Sequence, residues 1–349
     1  MRAVTVVPLQ AASAQLSDID EPLESEGEVL VDVISVGICG TDAEIVRGDY
    51  GWLPPGRDRL VLGHESLGRV VDAPASSGLS KGDLVVGIVR RPDPEPCAAC
   101  AVGQWDACRN GEYTEHGIKS LDGFLRERYR ARSDALVTLD PHLGLHGVLL
   151  EPTTIVAKAW EQALAIGNRA LFDPKNVLVI GAGPIGLLAA LIGSQMGYDV
   201  HVIDQATTGP KADLVRKLGA TYHTGSPVDA IHGGADVVIE CTGVPSVVVS
   251  AMESCSIGGV LCLTGISPVG TSTALDLGSI ARDMVLGNRA VFGSVNANRS
   301  HYESAAKVLS KAPLEWLDGV ISRRVPIVNF ADALKRTDSD VKVIVEMAQ

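Results

Sequence analysis

The run Asn176-Val177-Leu178-Val179-Ile180-Gly181-Ala182-Gly183-Pro184-Ile185-Gly186 decides the second half of the chain. After Asn176, its short apolar opening is that of a strand buried on both faces. Glycines follow at the G-x-G-x-x-G spacing, and Pro184 stands where a helix begins its first turn. Gly181 permits a tight turn, Gly183 lets the backbone approach a pyrophosphate, and Gly186 allows close helix–strand packing. The helix N-terminus adds free N–H groups and partial positive charge. Asp204 closes the next expected strand 18 residues after Gly186, where an acid accepts bonds from a ribose diol. Gly181, Gly183, Pro184, Ile185, Gly186 and Asp204 are therefore candidate cofactor contacts. A carboxylate at 204 would repel a 2′-phosphate, and Gln205 to Pro210 contains no Arg. That favours NAD, while Lys211 leaves room for NADP.

Working outward, strands and helices alternate. A helix over Thr153–Ile166 is expected first, then a helix over Pro184–Met196 and a strand over Val200–Asp204. Helices over Lys211–Leu218, Ser246–Ser256 and Ser279–Leu286 alternate with strands over Ala235–Cys241, Val260–Gly265 and Ala290–Val295. This is the grammar of an α/β, parallel, doubly wound sheet. Residues 1 to about 150 read differently. Short apolar runs (Val29–Val36, Leu60–Leu62, Leu67–Val71, Leu84–Ile88) are separated by turn-formers, which implies an all-β barrel or sandwich. A helix over Tyr302–Ser310 and a strand over Val341–Met347 either extend the parallel sheet or return to the barrel.

The chain has 349 residues, 46% hydrophobic and 21% charged, with mean hydropathy +0.20, which excludes wholesale disorder. Aromatics are only 4%, so the core is built from Val, Ile, Leu and Ala. Thirty Lys and Arg against 42 Asp and Glu give a net charge of −12, and no basic run interrupts it. Nucleic acid is an unsuitable partner. No apolar stretch reaches membrane-spanning length, and Met1–Pro8 reads as a first strand rather than a secretory signal. Seven cysteines, an odd number, point to reduced thiols and metal ligands, and so to the cytoplasm.

The metal chemistry lies in the first half. Gly37-Ile38-Cys39-Gly40-Thr41-Asp42, Gly63-His64-Glu65 and Glu151-Pro152 supply thiol, imidazole and carboxylate, an open zinc set. The expected ligands are Cys39, His64 and a carboxylate from Glu65 or Glu151. Zinc in such a site lowers the pKa of an alcohol oxygen and eases hydride loss from the adjacent carbon. Thr41 is placed to relay the alcohol proton. Taken singly, Cys39 reads as a core thiol and His64 as a structural histidine. Their conjunction with a dinucleotide fingerprint favours the metal.

These motifs, in this order, resemble the zinc-dependent medium-chain dehydrogenases over essentially the whole chain. The resemblance implies a GroES-like β-barrel catalytic domain (1–155), a Rossmann domain (156–296) and a C-terminal stretch (297–349) returning to the catalytic domain. Within the superfamily, Val89-Arg90-Arg91, Gly111 to Ile118, Asp122-Gly123-Phe124, Glu151-Pro152-Thr153 and Gly293-Ser294-Val295-Asn296 are most similar to microbial glucose 1-dehydrogenases. That likeness implies oxidation of an aldose, D-glucose foremost, at its anomeric carbon. Thr41, Glu115, Glu151 and Asn296 would contact the sugar, and Asn296 and Thr242 the cofactor. It also implies a homo-oligomer, dimer or tetramer. Polyol-type relatives carry a His where this chain has Glu44, and polyol or secondary-alcohol oxidation is the alternative. The superfamily's structural-zinc lobe resembles C-x2-C-x2-C-x7-C. Cys97, Cys100 and Cys108 match its last three positions, and Asp93, after one inserted residue, would supply an oxygen in place of the first. Cys241, Cys255 and Cys262 read as core residues.

Overall fold

The computed structural model describes residues 1–268, 270–271 and 273–347. Val269, Ser272, Ala348 and Gln349, within the stretches assigned above to the second domain and the C-terminal return, lie outside the described residues. Two compact units result, one of residues 1–151 with 296–349 and one of residues 152–295.

The first unit is built on a seven-stranded sheet. Its central strand, Val29–Gly37, pairs antiparallel with Glu65–Asp72, Arg128–Ala131 and the C-terminal strand Lys342–Glu346. Two register shifts along the Val29–Gly37 and Glu65–Asp72 ladder bend the sheet. Val29, Val31, Val33 and Val36 point into a core with Val4, Leu60, Val70, Phe124, Tyr129 and Val345. Smaller sheets join Arg2–Val6 to Gln15–Asp18 and Leu60–Val61, and Arg90–Arg91 to Thr114–His116. The strand over 342–346 thus belongs to the barrel sheet, beside Ile321–Pro326.

The second unit is a six-stranded parallel sheet. Its spatial order is Thr221–His223, Asp199–Ile203, Asn176–Ile180, Ala235–Glu240, Cys255–Leu263, Ala290–Gly293. In chain order this is 3-2-1-4-5-6, the doubly wound arrangement with its switch point between Asn176–Ile180 and Ala235–Glu240. Helix Pro184–Gln195 is almost wholly buried, which explains its lack of a polar face. The helix near residue 280 starts earlier than its pattern suggests, at Leu277, because the Asp276 carboxylate caps Ser279 N–H at 3.0 Å.

Candidate active site and dinucleotide turn

Gly37 stands opposite Glu65 at the end of their ladder, and a Cβ on Gly37 would overlap the Glu65 carboxylate. Only glycine allows that approach. Two residues on, Cys39 caps helix Gly40–Arg47, its N–H donating to Asp42 Oδ2 at 2.8 Å. The sharp exit turns Cys39 toward His64 and Glu65, so that one ligand atom from each lies within 4.8 Å of the others. Zinc bonds of about 2.0–2.3 Å suit such a convergence. His64 Nδ1 lies 3.5 Å from Asp42 Oδ1, both deeply buried. A carboxylate beside one ring nitrogen is what orients a ligating imidazole. Burial opposes charge on His64, but Asp42 outweighs it and raises the ring well above the usual histidine range. Thr41 Oγ1 is 4.0 Å from Cys39 Sγ.

Of the two carboxylate candidates, Glu65 converges with Cys39 and His64. Lys342, from the last strand, donates to both Glu65 oxygens at 2.6 and 2.5 Å and to the Ile38 carbonyl at 3.1 Å. The pair is buried, with side chains 3% and 1% exposed. Glu151 is not among the converging atoms. Burial pushes its carboxyl up to about 7, with His64 pulling down and Glu65 pushing further up. Asp42 was visible in the motif without a role, and nothing in the sequence points to Lys342, 277 residues from its partner.

The lobe brings three of its four candidates together. Cys97, Cys100 and Cys108 converge within 4.8 Å around the short helix Ala98–Ala101. Backbone N–H donors of Arg109 and Cys100 pull Cys97 down to about 6, while burial pushes Cys100 up to about 11. A converging trio of soft thiols suits zinc. The Asp93 carboxylate is outside the convergence and accepts instead from Glu95 N–H at 2.8 Å. Its chain position meets Cys100 through its own backbone N–H.

Glu115 and Asn296 meet directly: Asn296 Nδ2 donates to Glu115 Oε1 at 2.6 Å. Glu115 is also held by Arg90 across the neighbouring strand.

In the second unit, the turn after Ile180 carries Gly181 at φ +98°, and a Cβ on Gly186 would overlap the Gly181 carbonyl. A Cβ on Gly183 would meet nothing within 4 Å, so the approach over the helix N-terminus is open. Gly183 is the N-cap of the helix beginning at Pro184 and Ile185, without a side-chain cap. These features fit a pyrophosphate. Asp204 lies just past its strand, its carboxylate accepting from Ala182 N–H at 2.7 Å and Ala206 N–H at 3.0 Å. Lys211 Nζ is 3.9 Å from it. Thr242 follows the strand on the other side of the switch point. Its methyl faces Gly181, and its hydroxyl donates to buried Glu240 and accepts from Val244 N–H. Glu240 also takes the Thr242 and Gly243 N–H groups. It is the residue that fixes this loop, and its apolar-strand setting concealed it.

A mainly antiparallel GroES-like barrel carrying thiol, imidazole and carboxylate, with a Rossmann sheet, defines a medium-chain dehydrogenase. Residues 25–141 match the alcohol dehydrogenase GroES-like domain, and residues 144–347 match the glucose dehydrogenase C-terminus. The chain belongs to the glucose dehydrogenase family of these enzymes. It is 38% identical to a glucose 1-dehydrogenase of Methanocella arvoryzae and 39% to one of Thermoproteus tenax, each over 99% of both chains. The Haloferax mediterranei glucose dehydrogenase in complex with NADP, Zn and gluconolactone superposes with a TM-score of 0.92, at 31% identity and over 100% of both chains.

Proposed function

We propose that the chain oxidises D-glucose at its anomeric carbon to the lactone, passing the hydride to a nicotinamide dinucleotide. The convergence of Cys39, His64 and Glu65 beside Thr41 carries this reading. Zinc, when bound there, supplies Lewis acidity toward the reacting hydroxyl. Cys39, His64 and Glu65 hold it, with Glu151 beside them. Asp42 orients His64, and Lys342 offsets the charge of Glu65. Thr41 relays the anomeric hydroxyl proton, accepting it as its own passes on toward a ribose hydroxyl of the dinucleotide, with no histidine at position 44 to assist it. Glu115, Glu151 and Asn296 bind neighbouring hydroxyls, and Asn296 also meets the cofactor. Cys97, Cys100 and Cys108 hold a second, structural zinc, and Asp93 offers it Oδ2, the oxygen that Glu95 N–H does not use.

Gly181, Gly183, Pro184, Ile185 and Gly186 seat the pyrophosphate, with Thr242 alongside, and Asp204 accepts from the adenosine ribose. The cofactor is NAD by preference. Lys211 leans toward the Asp204 carboxylate, which would face any 2′-phosphate. The kcat/KM for NAD should exceed that for NADP by about tenfold or more, a difference of about 1.4 kcal/mol. Asp204→Ala should narrow the gap by raising the NADP value. A clear NADP preference in the unaltered enzyme would overturn this assignment.

We place the enzyme in the cytoplasm as a homo-oligomer, a dimer or tetramer. All seven cysteines are unpaired, and among the described residues no helix is long and apolar enough to cross a membrane. The edge strand Ala290–Gly293 and the exposed Val285 and Leu286 nearby support self-association.

A further inference from the structure

We propose that Arg90 is the positioning residue of the sugar subsite: it commits one oxygen of Glu115 to the protein and leaves the other to select a substrate hydroxyl. The inference rests on the aldose reading above.

Arg90 lies directly across from Glu115 in the antiparallel pair of strands Arg90–Arg91 and Thr114–His116. Its Nε and Nη2 reach Glu115 Oε1 at 3.0 and 2.9 Å, and Asn296 Nδ2 joins the same oxygen at 2.6 Å. Three donors fill Oε1, and Oε2 takes none of these bonds. The third guanidinium nitrogen, Nη1, donates to the Asp106 carbonyl at 3.2 Å, and the guanidinium stacks 3.7 Å over the Tyr113 ring. Arg90 is thereby fixed on all sides. The Arg90 and Glu115 side chains are only 6% and 8% exposed, so water competes weakly for these bonds. Asn296 is held as firmly, at φ +61°, with its Oδ1 accepting from Ala297 N–H at 2.7 Å. A planar fork can hold one oxygen with two nitrogens and still bond elsewhere; a lysine ammonium cannot. The result is a carboxylate with one defined acceptor direction. A hydroxyl in that direction is bound, and its absence leaves a buried acceptor unpaired.

Arg90→Lys tests this, because it keeps the charge but loses the fork. Expected are a rise of about tenfold in KM for glucose, kcat within about threefold, unchanged KM for the dinucleotide, and a comparable loss of discrimination against monodeoxyglucoses. The double variant Arg90→Gln/Glu115→Gln leaves no unpaired buried charge, so it carries the test if Arg90→Lys does not fold. Its glucose KM should equal that of Glu115→Gln alone, since Arg90 acts through Glu115. Unaltered KM and discrimination in Arg90→Lys, or additive losses in the double variant, would overturn the proposal. Failure of the unaltered enzyme to oxidise any aldose would instead overturn the substrate reading, and that is measured before any variant.

Discussion

His64→Ala should lower kcat/KM for glucose by roughly a thousandfold or more, the several kcal/mol that a Lewis-acid metal contributes. The change removes one of the three converging ligands, and no spare imidazole from the described residues joins that cluster. Zinc content should fall from two per chain to one, because the thiol trio of Cys97, Cys100 and Cys108 is untouched. Binding of reduced dinucleotide, read by fluorescence, should stay within about twofold, since the glycine turn belongs to the other unit. Asp42 would lose its buried partner, so a lowered Tm is expected as well. Cys39→Ser provides a second route to the same loss without exposing Asp42. Full turnover by enzyme stripped of both metals would contradict the assignment.

Glu115→Ala should raise KM for glucose by about 10- to 100-fold, the equivalent of losing a hydrogen bond to a charged group at about 1.5–3 kcal/mol. The dinucleotide KM should not move. The same substitution leaves Arg90 charged and buried, which costs about 3–5 kcal/mol of stability. Kinetics must therefore be measured well below the lowered Tm. Glu115→Gln keeps the shape and separates the two effects: its stability loss should be smaller, while the glucose KM still rises. An unchanged sugar KM in both folded variants would remove Glu115 from the subsite.

The parts of the fold legible in the sequence are those dictated by local pattern. Past the half-buried Asn176, the strand to Ile180 is buried and wholly apolar, and the glycines beyond it are demanded by overlap at Gly186 and left-handed backbone at Gly181. Strand Val29–Gly37 declares itself by alternation. The helix Gly40–Arg47 did not, because it begins at a cysteine cap and its apolar content is low. Strand Gln15–Asp18 is a half-exposed edge with no apolar period. At the site, the residue types that converge were readable, yet which of Glu65 and Glu151 stands with Cys39 and His64 was not. It depends on the ladder that sets Glu65 against Gly37, a long-range fact. The partners of Lys342 and Arg90 were not legible for the same reason, although Arg90 stands in a family-like stretch: each is an ordinary basic residue until strand pairing buries it against a carboxylate. Asp93 is the converse case. Its spacing suggested a ligand, yet the carboxylate lies outside the thiol cluster, with Oδ1 bonded to Glu95 N–H by a local turn and Oδ2 buried without a partner.

The most direct test of the central claim is oxidation of glucose deuterated at C1, with zinc-loaded enzyme and NAD, compared with a simple primary alcohol. The account predicts that the deuterium appears in the reduced nicotinamide, that the sugar product is the lactone, and that kcat/KM for glucose exceeds that for the alcohol. Deuterium retained in the sugar, or an alcohol turned over better than every aldose tried, would contradict it.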